Sequence, residues 1–235
     1  MLLGPYEFLI DDPFTHGRHA LPGSPPTPSA EEAIRAVRAY DTFRADLGWL
    51  SPPAARWLGR DAGKTPVGFH RVESTPVSRI ISTRIGKIGV VLFPEGPVPG
   101  QGPTPEQEAS VLAAGRTLQE KTVLVLGVSP WGVSGEKKFL SKASGVFACF
   151  LGGGEGVGFA QSLSDAPGVL WLRPDGKGRA VNVVEILQMP QKNTPMQWTE
   201  DVTFRAVLQF LDESFPSDPA VLKLVGPPPE EDADI

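Results

Sequence analysis

The side chains best suited to chemistry are clustered near the start of the chain. Asp11, Asp12, His16 and His19 lie within nine residues. Carboxylate and imidazole groups are ligands that Zn²⁺ or Mn²⁺ take from proteins, so this cluster could hold such a metal ion. The segment is also rich in proline and glycine, and histidines in such loops are more often solvated surface residues. Both interpretations stay open, and we favour the second.

Two glycine-containing segments that follow strongly apolar runs are the other candidate sites. Their successive backbone N–H groups could hold a small anion. The candidate anion-binding residues are Ser129, Trp131 and Gly132 in the first segment, and Gly152, Gly153, Gly154 and Gly156 in the second. A tight turn without a ligand is the alternative interpretation.

Neither segment completes a known catalytic or phosphate-binding motif. The second contains no G-x-G-x-x-G, and the first has Val133 where a Walker A motif needs lysine. Ser129 is followed by Pro130 and lies in no G-x-S-x-G, so a serine hydrolase is not indicated. Cys149 lies within an apolar run, which favours a buried structural thiol over a nucleophile. We therefore predict no catalytic residue, no bound metal and no cofactor.

The apolar runs before these segments predict the central strands of a sheet. Residues 88–93, 122–127 and 146–151 are rich in valine, leucine and phenylalanine, which is typical of strands buried on both faces. A neighbouring strand is predicted at 79–84. Open parallel sheets bind ligands at the carboxyl ends of their strands, where both glycine segments lie.

Helices are predicted before, between and after these strands. Capping signals and apolar spacing place them at 29–47, 52–58, 104–120, 136–142 and 200–214, with a short one from residue 219.

A hairpin is predicted from the segments 169–172 and 179–187, around Pro-Asp-Gly-Lys-Gly at 174–178. Together these elements predict a layered α/β sandwich with a mixed, largely parallel sheet and a C-terminal β-hairpin and helices.

Three parts are expected along the chain. Residues 1–190 form the α/β domain, which starts with a strand at 6–10 and a loop at 11–28. Residues 191–226 form a helical extension packed on it, and residues 227–235 form a disordered acidic tail.

The composition of the chain limits the classes of partner that it is expected to bind. The net charge is −5, and four of the 27 acidic residues lie in the tail, so the rest of the chain is nearly neutral and nucleic acid is not indicated. We find no secretory leader and no run of about 18 apolar residues, so a cytoplasmic protein without a membrane partner is expected. The expected partner is an unknown protein or a small anionic ligand.

The order of these segments, over residues 6–187, resembles the catalytic domain of calcineurin-like metallophosphoesterases, in particular the 5′-nucleotidase branch. Residues 86–92 resemble the strand before that branch's long loop. Residues 126–132 resemble its strand ending in Ser-His-x-Gly, and residues 150–156 its Gly-Gly-His-x-His turn. The resemblance implies a two-metal site that hydrolyses phosphoesters.

The metal-ligand positions that the resemblance implies hold other residues here. Pro130 stands at the histidine of the first turn, and Gly154 and Gly156 stand at the two histidines of the second. Residues 48–51 lack the Asn-His pair expected there, and the opening Asp-x-His is not found, although Asp11 or Asp12 could match the metal-bridging aspartate.

The resemblance therefore implies a degenerate scaffold, a non-catalytic binding or structural module. The alternative is a metal-dependent phosphoesterase with a rearranged site near Asp11, Asp12, His16 and His19. A third possibility is an ordinary α/β domain unrelated to this family.

Overall fold

The structure of the protein is a computed structural model. It describes residues 30–84, 86–97, 102–143, 145–154, 156–163, 168–174, 180–189, 197–212 and 214–225. The strand predicted at 6–10, the loop at 11–28, most of the turn at 174–178 and the tail at 227–235 lie outside these residues.

The described residues form ten strands and five helices. In chain order these are α1 (Ala30–Phe43), β1 (Gly48–Leu50), α2 (Pro52–Asp61), β2 (Phe69–Arg71), β3 (Val77–Thr83), β4 (Gly86–Leu92), α3 (Pro105–Gln119), β5 (Leu124–Val128), α4 (Gly132–Ala143), β6 (Cys149–Leu151), β7 (Phe159–Leu163), β8 (Leu170–Arg173), β9 (Ala180–Ile186), β10 (Phe204–Phe210) and α5 (Pro219–Val225). No helix among them is long and apolar enough to cross a membrane.

A six-stranded sheet in the order β3-β4-β5-β6-β8-β7 lies at the centre. Strands β4, β5, β6 and β8 run parallel, and β3 and β7 are antiparallel at its two edges. The three predicted central strands are confirmed as inner strands. β6 begins at Cys149, later than predicted, because the N–H groups of Val146 and Phe147 donate to the Ala143 carbonyl at the end of α4.

Helices α3 and α4 cover one face of this sheet. Thr104 and Gln107 form a reciprocal capping box at the start of α3, as the sequence predicts. α4 begins at Gly132, four residues before the predicted start, so its first turn follows β5 almost directly. The apolar core between these helices and the sheet includes Phe93 and Phe139.

Two small sheets cover the other face. The parallel pair β1-β2 and the antiparallel pair β9-β10 pack on it, with Trp49 and Phe204 in the shared core. α1 and α2 then pack on the outer side of β1-β2, where Leu50 and Phe69 are buried. The molecule is therefore a mixed, layered α/β sandwich, as predicted.

The ends of α1 and α2 also differ from the prediction. α1 stops at Phe43, because Arg44 takes a left-handed conformation (φ 50°). Leu47 is instead buried in the core beside β1. α2 continues to Asp61 beyond the predicted 58.

The helix predicted at 200–214 is wrong, since residues 204–210 form β10. Apolar residues at 204, 207, 208 and 211 have helical spacing, but the segment also alternates, with Phe204 and Ala206 facing the core. The open edge of β9 provides a full ladder of partners, from Phe204 opposite Ile186 to Phe210 opposite Ala180, and this decides between the two periods.

The C-terminal antiparallel pair is present, but its members differ from those predicted. β8, the first strand of the predicted hairpin, lies inside the main sheet between β6 and β7. β9, the second strand, pairs with β10 instead.

Candidate ligand site at the carboxyl ends of the parallel strands

The two glycine segments form adjoining turns at one edge of the main sheet. We call residues 129–132, after β5, the first turn, and residues 152–157, after β6, the second turn. The Ser129 N–H donates to the Leu151 carbonyl at 2.9 Å, and the Gly132 N–H donates to the Gly153 carbonyl at 3.0 Å. The structure thus brings together the residues predicted to bind an anion.

Several N–H groups that an anion would need already have partners within the protein. The Trp131 N–H donates to Ser129 Oγ at 3.1 Å. The Gly152 N–H donates to the Leu172 carbonyl at 2.7 Å. Together with the Gly132 N–H, these groups hold the turns closed, so anion binding by the backbone alone stays a prediction.

The second turn leaves no room for side chains at its glycines. Gly154 (φ 69°) and Gly156 (φ 117°) both take left-handed conformations that glycine favours. A Cβ atom at position 154 would lie closer than 3.0 Å to the Pro130 carbonyl oxygen, and one at 156 equally close to Val133. Imidazoles at these two positions are incompatible with this backbone.

A buried ion pair beneath the second turn is the main feature that the sequence interpretation missed. Glu136 on α4 is 0% exposed, and Arg173 at the end of β8 is 2% exposed. Glu136 Oε1 accepts the Gly153 N–H at 2.9 Å. Glu136 Oε2 accepts the indole N–H of Trp171 at 3.0 Å and an Arg173 Nη1–H.

The guanidinium of Arg173 also binds the backbone of the second turn. Its Nη1 and Nη2 donate to the carbonyls of Gly153 and Gly154, each at 3.0 Å. Its Nε donates to the Val157 carbonyl at 3.1 Å. Arg173 therefore links β8, α4 and the second turn.

Burial raises the pKa of Glu136 to about 7, against a usual value of 4.5. Loss of hydration is the largest cause, and it is opposed by the positive charge of Arg173 and by the N–H groups of Gly153 and Trp171. The carboxyl group thus changes its charge near neutral pH.

A helical pattern in the sequence could have revealed Glu136. It shares one buried face of α4 with Gly132, Phe139, Leu140 and Ala143, so a carboxylate lies on the apolar side of the helix. Its partner Arg173 directly follows the apolar run of β8 but is 37 residues away, and the pairing depends on the fold.

Two other positions implied by the family resemblance have structural roles. The Ser51 side chain accepts the Ala54 N–H at 3.1 Å and caps α2. The Trp49 indole N–H donates to the Phe93 carbonyl at 2.9 Å. Neither side chain is available as a metal ligand.

The metal cluster proposed as an alternative lies outside the described residues, since Asp11, Asp12, His16 and His19 all precede residue 30. Within the described part of the chain, no group of three His, Cys, Asp or Glu side chains could hold a metal ion. Cys149 is buried, as predicted, and burial raises its pKa to about 12.

An open groove of about 490 Å³ lies at the carboxyl end of β4. It is lined by Pro52, Arg71, Glu73, Ser74, Glu95, Gly96, Pro97 and Gln107. Arg71 forms an ion pair with Glu73, and the Gln107 amide donates to the Glu95 carbonyl at 2.7 Å. These contacts indicate no single ligand chemistry.

The fold is similar to that of a putative 5′-nucleotidase from Staphylococcus aureus, solved in complex with α-ketoglutarate. The two share 12% sequence identity over 80% of this chain and 42% of that one, with a TM-score of 0.51. This chain thus spans about two fifths of that protein, and the likeness concerns the fold alone.

A hypothetical protein from Thermus thermophilus matches 63% of this chain and 73% of its own, at 14% identity and a TM-score of 0.36. No protein-family model matches the sequence, and no curated protein matches it significantly.

Proposed function

We propose that this chain is a non-catalytic domain with a 5′-nucleotidase-like fold that acts as a binding or structural module. The observation that carries the proposal is the close contact between the two turns. Gly154 and Gly156 pack against Pro130 and Val133 where the family resemblance implies histidines. A two-metal centre needs imidazoles and carboxylates there to hold its ions.

The ion pair beneath the second turn supports this proposal. Glu136 and Arg173 tie together α4, β8 and the second turn through side chains. Bound metal ions often connect neighbouring segments in this way, and here an ion pair makes the connection. The groups that donate hydrogen bonds to the Glu136 carboxylate are a guanidinium, an indole N–H and a backbone N–H. Such donors suit an anion and not a metal cation.

The competing function is a phosphoesterase whose metal lies near Asp11, Asp12, His16 and His19. We favour the non-catalytic module because the alternative needs a complete ligand set from a segment rich in proline and glycine.

A phosphoesterase assay distinguishes the two functions. We expect purified protein with added Mn²⁺ to hydrolyse neither aryl phosphates nor nucleotides faster than a no-protein control, because neither turn contains the histidines that would hold metal ions beside a leaving phosphate. Turnover that chelator, Asp11→Ala and Asp12→Ala each abolish would overturn the proposal. Asp61→Ala is the matched control, since it removes a partly buried carboxylate that forms an ion pair with its neighbour Arg60.

A further inference from the structure

We propose that the exposed face of the β9-β10 pair is the interface of a homodimer, in which a second copy of this chain packs on it face to face. We call this surface the outer face. It consists of the odd-numbered residues from 181 to 187 and from 205 to 211. The inference goes beyond the proposed function and does not depend on whether the chain hydrolyses phosphoesters.

The β9-β10 pair is apolar on both of its sides. Alternate residues of a strand point to opposite sides of a sheet, and Val184, Ile186 and Ala206 pack on the core beneath the pair. The odd-numbered residues therefore point outward, and all of them are exposed. Five of these residues are apolar and between 41% and 52% exposed, namely Val181, Val183, Leu187, Val207 and Leu211. An antiparallel pair with one side in water normally carries polar residues there, so this pattern indicates a covered face.

The apolar side chains at the centre of the outer face are contiguous. Val183 and Val207 lie directly opposite each other, and Val181 extends the patch along β9. Contiguous apolar patches mark interaction sites, whereas single exposed apolar side chains do not. The outer side of β1-β2 is covered by α1 and α2. Within the described part of the chain, no helix covers the outer face of β9-β10 in this way.

The charges of the outer face favour an uncharged partner surface. Its two charged residues, Glu185 and Arg205, are opposite each other in the ladder, and Arg205 Nη1 lies 3.6 Å from Glu185 Oε2. The outer face thus carries one charge of each sign, which gives a polyanion such as nucleic acid no positive surface to bind. Homodimer interfaces are the more apolar class of protein interface.

The outer face is also complementary to itself. A two-fold axis parallel to the strands places β9 of one copy over β10 of the other. Because Glu185 and Arg205 lie at the same height in the ladder, Glu185 then faces Arg205 of the second copy, and Val183 faces Val207 of the second copy. Each contact occurs twice, as in the isologous interface of a two-fold dimer. The strands of the two copies cross at about 30°, the usual angle between aligned packed sheets.

The small size of the outer face implies a weak dimer. A standard interface buries about 800 Å² on each partner, and a face that is two strands wide offers less than this. We therefore expect reversible association with a Kd of about 1–100 µM.

Sedimentation of the wild-type protein tests the dimer without any variant. Between about 1 and 300 µM, the weight-average mass should rise from that of one chain towards twice that value. A protein that stays monomeric over this range overturns the inference, whatever other segment or partner covers the outer face.

Substitution of Val183 tests which surface associates. We expect Val183→Lys to raise the dimer Kd by about 100-fold or more, because each copy would bury an unpaired ammonium group at the centre of the interface. The variant should fold, since Val183 is 52% exposed within one chain. Val67→Lys is the matched control, because Val67 is 72% exposed in the loop before β2, outside the outer face, and it should leave the Kd unchanged.

Charge reversal tests the two-fold arrangement. Glu185→Arg and Arg205→Glu each place like charges opposite each other twice in the dimer, so each variant alone should associate about tenfold more weakly than wild type. In an equimolar mixture, the positive outer face of one variant meets the negative outer face of the other. The mixture should therefore associate about as tightly as wild type.

Two further results count against the homodimer. One is a wild-type dimer whose Kd Val183→Lys changes no more than Val67→Lys does. The other is a mixture of the charge-reversed variants that associates no more tightly than either variant alone. Neither result bears on the phosphoesterase assay, so failure of this inference and failure of the proposed function are distinguishable.

Discussion

Individual residues at the carboxyl edge of the sheet use their polar groups to join neighbouring segments. The indole N–H groups of Trp49 and Trp131 donate to the consecutive carbonyls of Phe93 and Pro94, at 2.9 Å and 2.6 Å. These bonds hold the chain that leaves β4 between β1 and the first turn. The polar groups of these two tryptophans thus satisfy backbone carbonyls and serve the fold itself.

Substitution of Gly154 tests whether the two turns are packed as closely as the structure indicates. Gly63→Ala is a matched control, because Gly63 has nearly the same φ (71° against 69°) and nothing within 4 Å of an added Cβ. We expect Gly63→Ala to lower the free energy of unfolding by about 1 kcal/mol from backbone strain. Gly154→Ala should cost about 2 kcal/mol more from overlap with Pro130. Equal losses in urea unfolding would show that the turns have space between them.

The charge of Glu136 should make stability depend on pH. Its pKa is raised from 4.5 to about 7 in the folded protein, so its contribution is fully present below pH 4.5 and is lost as the pH rises through 7. At about 1.4 kcal/mol per pKa unit, the change is about 3 kcal/mol.

We therefore expect the free energy of unfolding of wild type, relative to Glu136→Gln, to fall between pH 5 and pH 8. His70, whose pKa is lowered by burial and by Arg79, titrates in both proteins and cancels in this difference. A difference that stays constant with pH would contradict the assignment.

At the scale of elements, the sequence predicted those segments whose pattern allows one interpretation. β4 and β5 are almost wholly buried, so their apolar runs indicated inner strands without ambiguity. The apolar residues of β10 fit both the period of a helix and the alternation of a strand, and only the pairing with β9 decides between them. β1 and β2 have three residues each, which is too short for a periodic signal.

The same reasoning explains what could be predicted of the candidate site. The positions of both turns followed from the strands that precede them. The Glu136–Arg173 pair did not, because it joins a helix to a strand that lies beyond β6 and β7 in the sequence.

Two phenylalanines at opposite ends of β10 test its observed role. Phe204 is 1% exposed and packs edge-on against Trp198, with centroids 5.5 Å apart, whereas Phe210 is 54% exposed. We expect Phe204→Ala to lower the free energy of unfolding by about 3–5 kcal/mol and Phe210→Ala by about 0.5 kcal/mol or less. Chemical denaturation followed by tryptophan fluorescence measures both. Similar losses would argue against β10 as an element packed through its Phe204 face.

At the scale of the whole molecule, the layers meet at one edge. The main sheet shares one core with α3 and α4 and another with the two small sheets. Trp131 of the first turn is buried in the core between the main sheet and helices α3 and α4, so both turns lie beside that core. This edge is held by hydrogen bonds between the two turns and by the buried Glu136–Arg173 ion pair, so its integrity should not depend on a bound metal.

The last prediction follows from this construction and concerns the whole chain. A ligand that binds only the folded state raises its stability by mass action, by about 2.7 kcal/mol at one hundred times its Kd. We expect neither Mn²⁺ nor Zn²⁺ to raise the Tm of purified protein, chelator to leave it unchanged, and elemental analysis to show no stoichiometric Zn, Mn or Fe. A metal-dependent rise in Tm that His16→Ala/His19→Ala abolishes would instead locate a working site in the N-terminal cluster. The matched control His70→Ala removes an imidazole hydrogen-bonded to Arg79 and should leave any such response unchanged.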